Sequence, residues 1–199
     1  SETLNGNINT LEKYGGILVP GGFGTRGSEG IINTANFARE NNIPYLGICF
    51  GFQLAAVSFA RNVCELSNAN STEIDDKTEC PIIDLLPEQN EVSDMGGSLR
   101  LGANKINIEK QTNAHQIYQC EFISKRHRHR YEFNTNYLDQ FNEKGMIFSG
   151  ESDNGRRMEI LEIPSHKFFM GVQFHPEFSS RPGFPEQMFK AFTTASGQN

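Results

Sequence analysis

Two short apolar runs constrain this chain more than any other feature: "GGILVP" (Gly15–Pro20) and "IPYLGI" (Ile43–Ile48). Both are strand-length, both lead into glycine, and both are followed by a stretch with helical spacing. Behind the first, Ile31, Ile32, Ala35 and Ala38 share one face of a segment from about Ser28 to Asn41, with Ser28 placed as N-cap. Behind the second, Phe52, Ala55, Ala56, Phe59 and Val63 recur at helical intervals and predict an amphipathic helix. Strand, helix, strand, helix with short connections calls for a parallel sheet with crossover helices, an α/β fold. Residues 68–104 are rich in Asn, Asp, Glu and Gly and read as loops with short strands. Then "RHRHRYEF", "GMIFSG", "RMEILEI" and "FFMGVQF" read as successive strands, and "FPEQMFKAFTTAS" as a closing helix with Pro185 in its first turn.

A chain of 199 residues suffices for one domain with a sizeable core. Its formal charge of −6 argues against a general nucleic-acid binder or an anionic-membrane binder. No apolar run approaches the ~20 residues of a membrane span. The opening "SETLNGNINT" lacks the basic and apolar regions of a secretory signal. Cys49, Cys64, Cys80 and Cys120 are widely spaced with no CxxC pattern, so reduced thiols of an intracellular, cytoplasmic protein are expected, and no metal site.

The chemistry gathers at "GICFG". A cysteine between glycines, after a strand and before a helix, has the form of a nucleophile elbow, where a sharp turn raises the reactive atom at the carboxyl edge of the sheet. The helix N-terminus there also favours a thiolate. The motif alone fits a buried structural thiol equally well. Further on, "GVQFHPEFSS" places His175 after an apolar strand, with Glu177 two residues later able to accept the second imidazole N–H. A cysteine needs a base, and the base an orienting group. Gly21, Gly22 and Gly24 of "PGGFG" follow another strand and bring backbone N–H groups to the same edge, and no P-loop Lys-Ser/Thr follows them. Gly22 and Phe50 are the expected oxyanion donors.

With these motifs in place, the sequence resembles the class I (Cys-His-Glu) glutamine amidotransferase domains of the CTP synthase family. "GICFGFQ" and "HPEF" carry the general signature; "PGGFGTRGSEG", "NANSTEID", "MGGSLRLG", "RHRHRYEFN" and "QFHPEFSSRP" are particular to that family and run in its order from Gly15 to about Pro182. The resemblance implies a doubly wound, mostly parallel, flavodoxin-like sheet. It implies Cys49 as nucleophile, His175 as acid/base and Glu177 as its orienter. It implies L-glutamine held by Gly22, the Phe50, Gly51, Phe52 and Gln53 segment, Glu73 and Arg130. A free amino acid offers an ammonium and a carboxylate, which Glu73 and Arg130 complement. No cofactor is implied for this domain; the family's synthetase domain, not in this chain, uses ATP, Mg and UTP. GTP activates the full enzyme, a homotetramer, and "GTRGSEG" is the loop suspected of coupling to the synthetase domain. The family domain carries further strand–helix units before "GILVPGGFG", so residues 1–199 are expected to form a domain partial at its N-terminus.

In "RHRHR", strand alternation puts His127 and His129 on one face and Arg126, Arg128 and Arg130 on the other. Carboxylate binding by one arginine, with the others in salt bridges, is the expected use; a His-x-His metal site lacks a third ligand. Phe50 and Phe52 stand where the family has Leu and Met, and are expected to make a bulkier wall to the site. Alternatives are another class I amidotransferase, such as the glutaminase of GMP synthase or carbamoyl-phosphate synthetase, a non-catalytic regulatory domain of the same fold, and a cysteine peptidase of related fold.

Overall fold

The computed structural model describes residues 7–86 and 99–197; the "MGGS" part of "MGGSLRLG" lies outside them. Ten strands and five α-helices are found among the described residues. The strands are β1 (Ile17–Val19), β2 (Tyr45–Ile48), β3 (Ala69–Ser71), β4 (Cys80–Asp84), β5 (Arg100–Ile108), β6 (Phe122–His129), β7 (Glu132–Phe133), β8 (Ile147–Ser152), β9 (Arg157–Glu162) and β10 (Phe169–Val172). The helices are α1 (Ser28–Glu40), α2 (Phe50–Asn62), α3 (Asn113–Tyr118), α4 (Leu138–Glu143) and α5 (Gln187–Ser196).

Seven strands form one sheet in the order β1-β2-β10-β9-β8-β5-β6, and β3-β4-β7 form a smaller one. The α/β fold is present; in the large sheet the parallel part is β1-β2-β10, the strands followed by the loops of interest, and β3 and β4 also pair in parallel. From β10 through β9, β8, β5 and β6 every pairing is antiparallel. The β8–β9 link spans only Asp153–Arg156, and so short a link permits only antiparallel pairing. All four residues of β2 are buried because strands flank it on both sides and helices cover both faces. Two apolar clusters occupy the two faces. One holds α1, α2 and Phe141 of α4; the other holds Ala114 and Tyr118 of α3 and Met188 and Phe192 of α5.

Three local expectations are corrected. The α2 helix is not amphipathic: Phe50 to Ala60 are all buried, because it lies between the large sheet, α1 and the β3-β4-β7 sheet. Ser28 is the first helical residue, not the N-cap; Gly27 caps α1 in a left-handed conformation, and the Ser28 hydroxyl donates to Thr25 O at 2.8 Å. Pro185 precedes the helix instead of opening it, and the Glu186 carboxylate caps α5 by accepting the Met188 N–H at 2.7 Å. The long strand β5 and helices α3 and α4 carry too weak a periodicity to be read from sequence.

Candidate active site

The strands β1, β2 and β10 all end at one edge of the sheet, and each delivers one group. From β1 comes the Gly21–Gly22 turn, from β2 Cys49, and from β10 His175. Cys49 sits at φ 51°, ψ −101°, a conformation that costs an L-residue of order 1–3 kcal/mol. The crowding that enforces it is backbone against backbone. A Cβ on Gly47 would lie 2.5 Å from Gly51 O, and one on Gly51 2.6 Å from Val19 O. Only glycine at both positions lets β1, β2 and the start of α2 approach so closely.

The Cys49 N–H is committed to Val172 O at 2.7 Å, which locks the elbow to β10. Among the described residues, neither the Phe50 nor the Gly22 N–H has an acceptor. Phe50 opens α2, where unpaired N–H groups and the positive end of the helix dipole meet. Gly22 rests against the Phe50 side chain, so the two open donors belong to adjoining turns.

His175 Nδ1 lies 2.6 Å from Glu177 Oε1, and Phe178 stacks on the ring at a centroid distance of 5.2 Å. The His175 N–H donates to Arg126 O at 2.9 Å, so the β6 strand braces this segment from the side. The Cys49 side chain foremost, and then the Glu177 hydrogen bond, push the His175 pKa up to about 10 against its partial burial. Both influences favour the imidazolium. Its buried Nε2 has no partner within hydrogen-bond geometry even though Cys49 is the chief influence on the ring. Such looseness is usual where catalytic contacts tighten only around substrate. Burial opposes the charge of Glu177, but its hydrogen bond to His175 prevails and holds the carboxyl below its ordinary value.

A cleft of about 610 Å³ opens over this edge, lined by Gly22, Cys49, Gln53, Glu73, Arg130 and His175 among others. Glu73 Oε1 accepts the Gly24 N–H at 2.8 Å, tying the glycine loop to the strand β3 side of the cleft. Arg130 and Tyr131 adjoin in the lining of the cleft, where the guanidinium charge opposes the burial that raises the tyrosine pKa. Gln53 is buried; its Nε2 donates to Tyr131 O at 3.0 Å and to Gln173 Oε1 at 3.1 Å.

The Phe50, Gly51 and Phe52 side-chain positions are not brought to this cleft. Phe50 lines a neighbouring pocket of about 380 Å³ with Leu11 and Ile31, its ring edge beside Gly22, and is not among the residues lining the cleft. Gly51 is packed on Val19, and Phe52 is wholly buried with its ring 6.3 Å from that of Phe148. Neither phenylalanine lines the cleft, so the bulkier wall expected of them is absent: Phe52 is packed into the core by the turn of α2, and Phe50 lines the neighbouring pocket. Nor do Arg126 and Arg128 form salt bridges; both are exposed, and no ion pair holds either among the described residues. His127 and His129 are buried on the opposite face of β6, as alternation requires, with His127 Nε2 2.9 Å from Glu159 Oε2.

Sequence reasoning missed Tyr131 and Gln173. Each had a signal: Tyr131 directly follows Arg130, and Gln173 precedes His175 by two, which places both on one side of an extended segment. All four cysteines are free. Among the described residues no three His, Cys, Asp or Glu side chains are grouped to hold a metal, and no helix is long and apolar enough to cross a membrane.

The sequence matches the glutamine amidotransferase class-I family over residues 1–195. It is 56% identical over 181 residues to the CTP synthase of Archaeoglobus fulgidus, covering 91% of this chain and 34% of that protein. Against the CTP synthase of Bacillus subtilis it is 55% identical over 181 residues, covering 91% and 34%. The chain thus spans about a third of the length of the curated relatives it matches. The solved Trypanosoma brucei CTPS glutaminase domain with bound acivicin matches with a TM-score of 0.93 at 37% identity, over 100% of this chain and 78% of that one. A glutamine amidotransferase from Thermotoga maritima, 14% identical with a TM-score of 0.54 over 92% of this chain and 64% of that one, shares the fold. The elbow, the His–Glu pair and these likenesses agree: the chain belongs to the class-I glutamine amidotransferase family, among the glutaminase domains of CTP synthases.

Proposed function

We propose that this domain hydrolyses L-glutamine to glutamate and ammonia through a γ-glutamyl thioester on Cys49. Cys49 Sγ attacks the side-chain carbonyl carbon, and the charge that develops on oxygen meets the Gly22 and Phe50 N–H groups. His175 gives its proton to the departing nitrogen, the C–N bond breaks, and ammonia leaves. The imidazole, now neutral, takes a proton from water; the resulting hydroxide equivalent attacks the thioester carbon, and Cys49 departs as thiolate with glutamate released. Glu177 holds the ring in register throughout. Arg130 pairs with the substrate carboxylate and Glu73 with its ammonium.

The observation that carries this reading is the pairing of a strained, elbow-mounted Cys49 with a His175 held by Glu177 at 2.6 Å, beside two unclaimed N–H donors. The reading extends to the intact protein: ammonia passes to a phosphorylated UTP in a synthetase portion that uses ATP and Mg. GTP activates the reaction, in a cytoplasmic homotetramer. The test is peptide mapping after incubation with 6-diazo-5-oxo-norleucine, an alkylating glutamine analogue. A single adduct on Cys49, prevented by excess L-glutamine, is expected. No adduct on folded protein would favour a non-catalytic regulatory domain.

A further inference from the structure

Gln53 and Gln173 together decide which atom the floor of the cleft offers to a ligand. The Tyr131 carbonyl can only accept, and it lies 3.0 Å from one end of the Gln53 amide, so that end is Nε2. The second Nε2 hydrogen is taken by Gln173 Oε1 at 3.1 Å. With both hydrogens committed, the only atom Gln53 has left to offer the cleft it lines is its oxygen. The same carbonyl also fixes a neighbour: His129 Nδ1 lies 3.1 Å from it, so that nitrogen carries the proton.

Gln173 is wholly buried, and its own Nε2 has no partner among the described residues. Its side chain thus makes one hydrogen bond, the one to Gln53, and leaves a buried donor unmet, an arrangement that costs stability relative to an apolar residue of the same size. We propose that Gln173 is a positioning residue for substrate binding, its Oε1 holding the Gln53 amide so that an acceptor faces the cleft. A fixed acceptor there selects a ligand group bearing N–H, such as the ammonium or side-chain amide of an amino acid, and repels a carboxylate. This rests on the glutamine reading above.

The test compares Gln173→Met and Gln173→Glu with wild type in the intact protein, by steady-state glutamate release, Cys49 labelling and thermal melting. Gln173→Met frees one Gln53 hydrogen to turn toward the cleft. The expected result is a KM for glutamine raised about tenfold with kcat within about threefold and a melting temperature equal to or above that of wild type. Gln173→Glu, which keeps an acceptor oxygen in place, is expected to restore KM to near the wild-type value. An unaltered KM in Gln173→Met would overturn the inference. So would misfolding, or a lowered melting temperature with kcat and KM impaired together, since either marks a merely structural role. A wild type that neither hydrolyses glutamine nor labels at Cys49 would instead overturn the glutamine reading, and this inference with it.

Discussion

The two halves of the large sheet handle polar groups in opposite ways. On the parallel side, β1, β2 and β10 end in backbone donors without acceptors, a cysteine at φ 51° and an imidazole whose Nε2 has no partner. On the antiparallel side, buried charges are mostly joined to one another, although His129 Nε2 and Glu132 Oε2 have no partner among the described residues. Arg100 Nη1 lies 2.5 Å from Glu159 Oε1, and Ser152 Oγ the same distance from that oxygen, while Arg157 bridges Glu132 and Asp153. Burial alone would raise the Glu159 pKa, but His127, Arg100 and Ser152 outweigh it and hold it down at about 2. Burial, and then the charge of Glu159, push Glu132 up to about 8, and burial drives His129 down to about 3. One side keeps polar groups open for a ligand; the other uses them to brace β6, which in turn supports His175 through Arg126 O.

Removing the nucleophile should separate the halves most sharply. Cys49→Ala is expected to cut glutamate release about ten-thousand-fold or more, with the antiparallel side and the fold untouched. Cys49→Gly, which relieves the positive φ, should in addition raise stability by about 1 kcal/mol. Hydrolysis persisting in Cys49→Ala would sink the nucleophile assignment.

The second test strikes the opposite half. Glu159→Gln takes from buried Arg100 its partner carboxylate at 2.5 Å, leaving it only Glu132 at 3.9 Å, and breaking such a pair costs about 3–5 kcal/mol. Denaturant unfolding should show that loss, while Cys49 labelling by the glutamine analogue continues in the folded fraction. The Glu159 pKa is depressed in the folded state, so its contribution is present above the ordinary carboxylate value and lost as pH falls through about 2. A wild-type stability profile flat across that acid range would contradict the network's role.

Glu177→Gln should have a smaller effect, a fall in kcat of about 10–100-fold. Here the sign is reversed, because the His175 pKa is raised from 6.5 to about 10. The stability it contributes is complete below pH 6.5 and disappears as pH rises through about 10. Without the Glu177 carboxylate the upper limit of that window should move down. Unfolding free energies of the two proteins that ran parallel from pH 6 to 10 would show that Glu177 does not sustain the imidazolium.

The catalytic edge was legible because its residues obey local rules: short apolar strands, glycines where backbones touch, a cysteine between them, and His and Glu two apart. The antiparallel half was less so. In β6 the alternation of His127 and His129 with the arginines could be read, but their partners Glu159 and Arg100 come from β9 and β5, far away in sequence. A buried charge looks the same as an exposed one until its partner is placed. Helix α2 misled for a related reason: Gln53 and Ser58 marked a polar face, but contact with α1 and the small sheet buries them along with Leu54, Val57 and Ala60.

The least effect is expected where the sequence pointed to trouble, at the two elbow phenylalanines. Phe52 is wholly buried among Phe148 and the β10 backbone, so Phe52→Leu removes packing and should cost about 1 kcal/mol. Its ring has no line to the cleft, and glutamine KM should not move. Phe50→Leu should be milder still in catalysis, since the role proposed for Phe50 rests on its N–H, which leucine keeps, and its side chain lines a neighbouring pocket with Leu11 and Ile31. Measured together, the two variants separate the backbone of the elbow from its side chains. A KM shift beyond about threefold in either would place that ring against the substrate and extend the catalytic side of the comparison into the core of α2. Unchanged kinetics with a small loss in melting temperature would assign both rings to the packing that holds Cys49 in its strained turn.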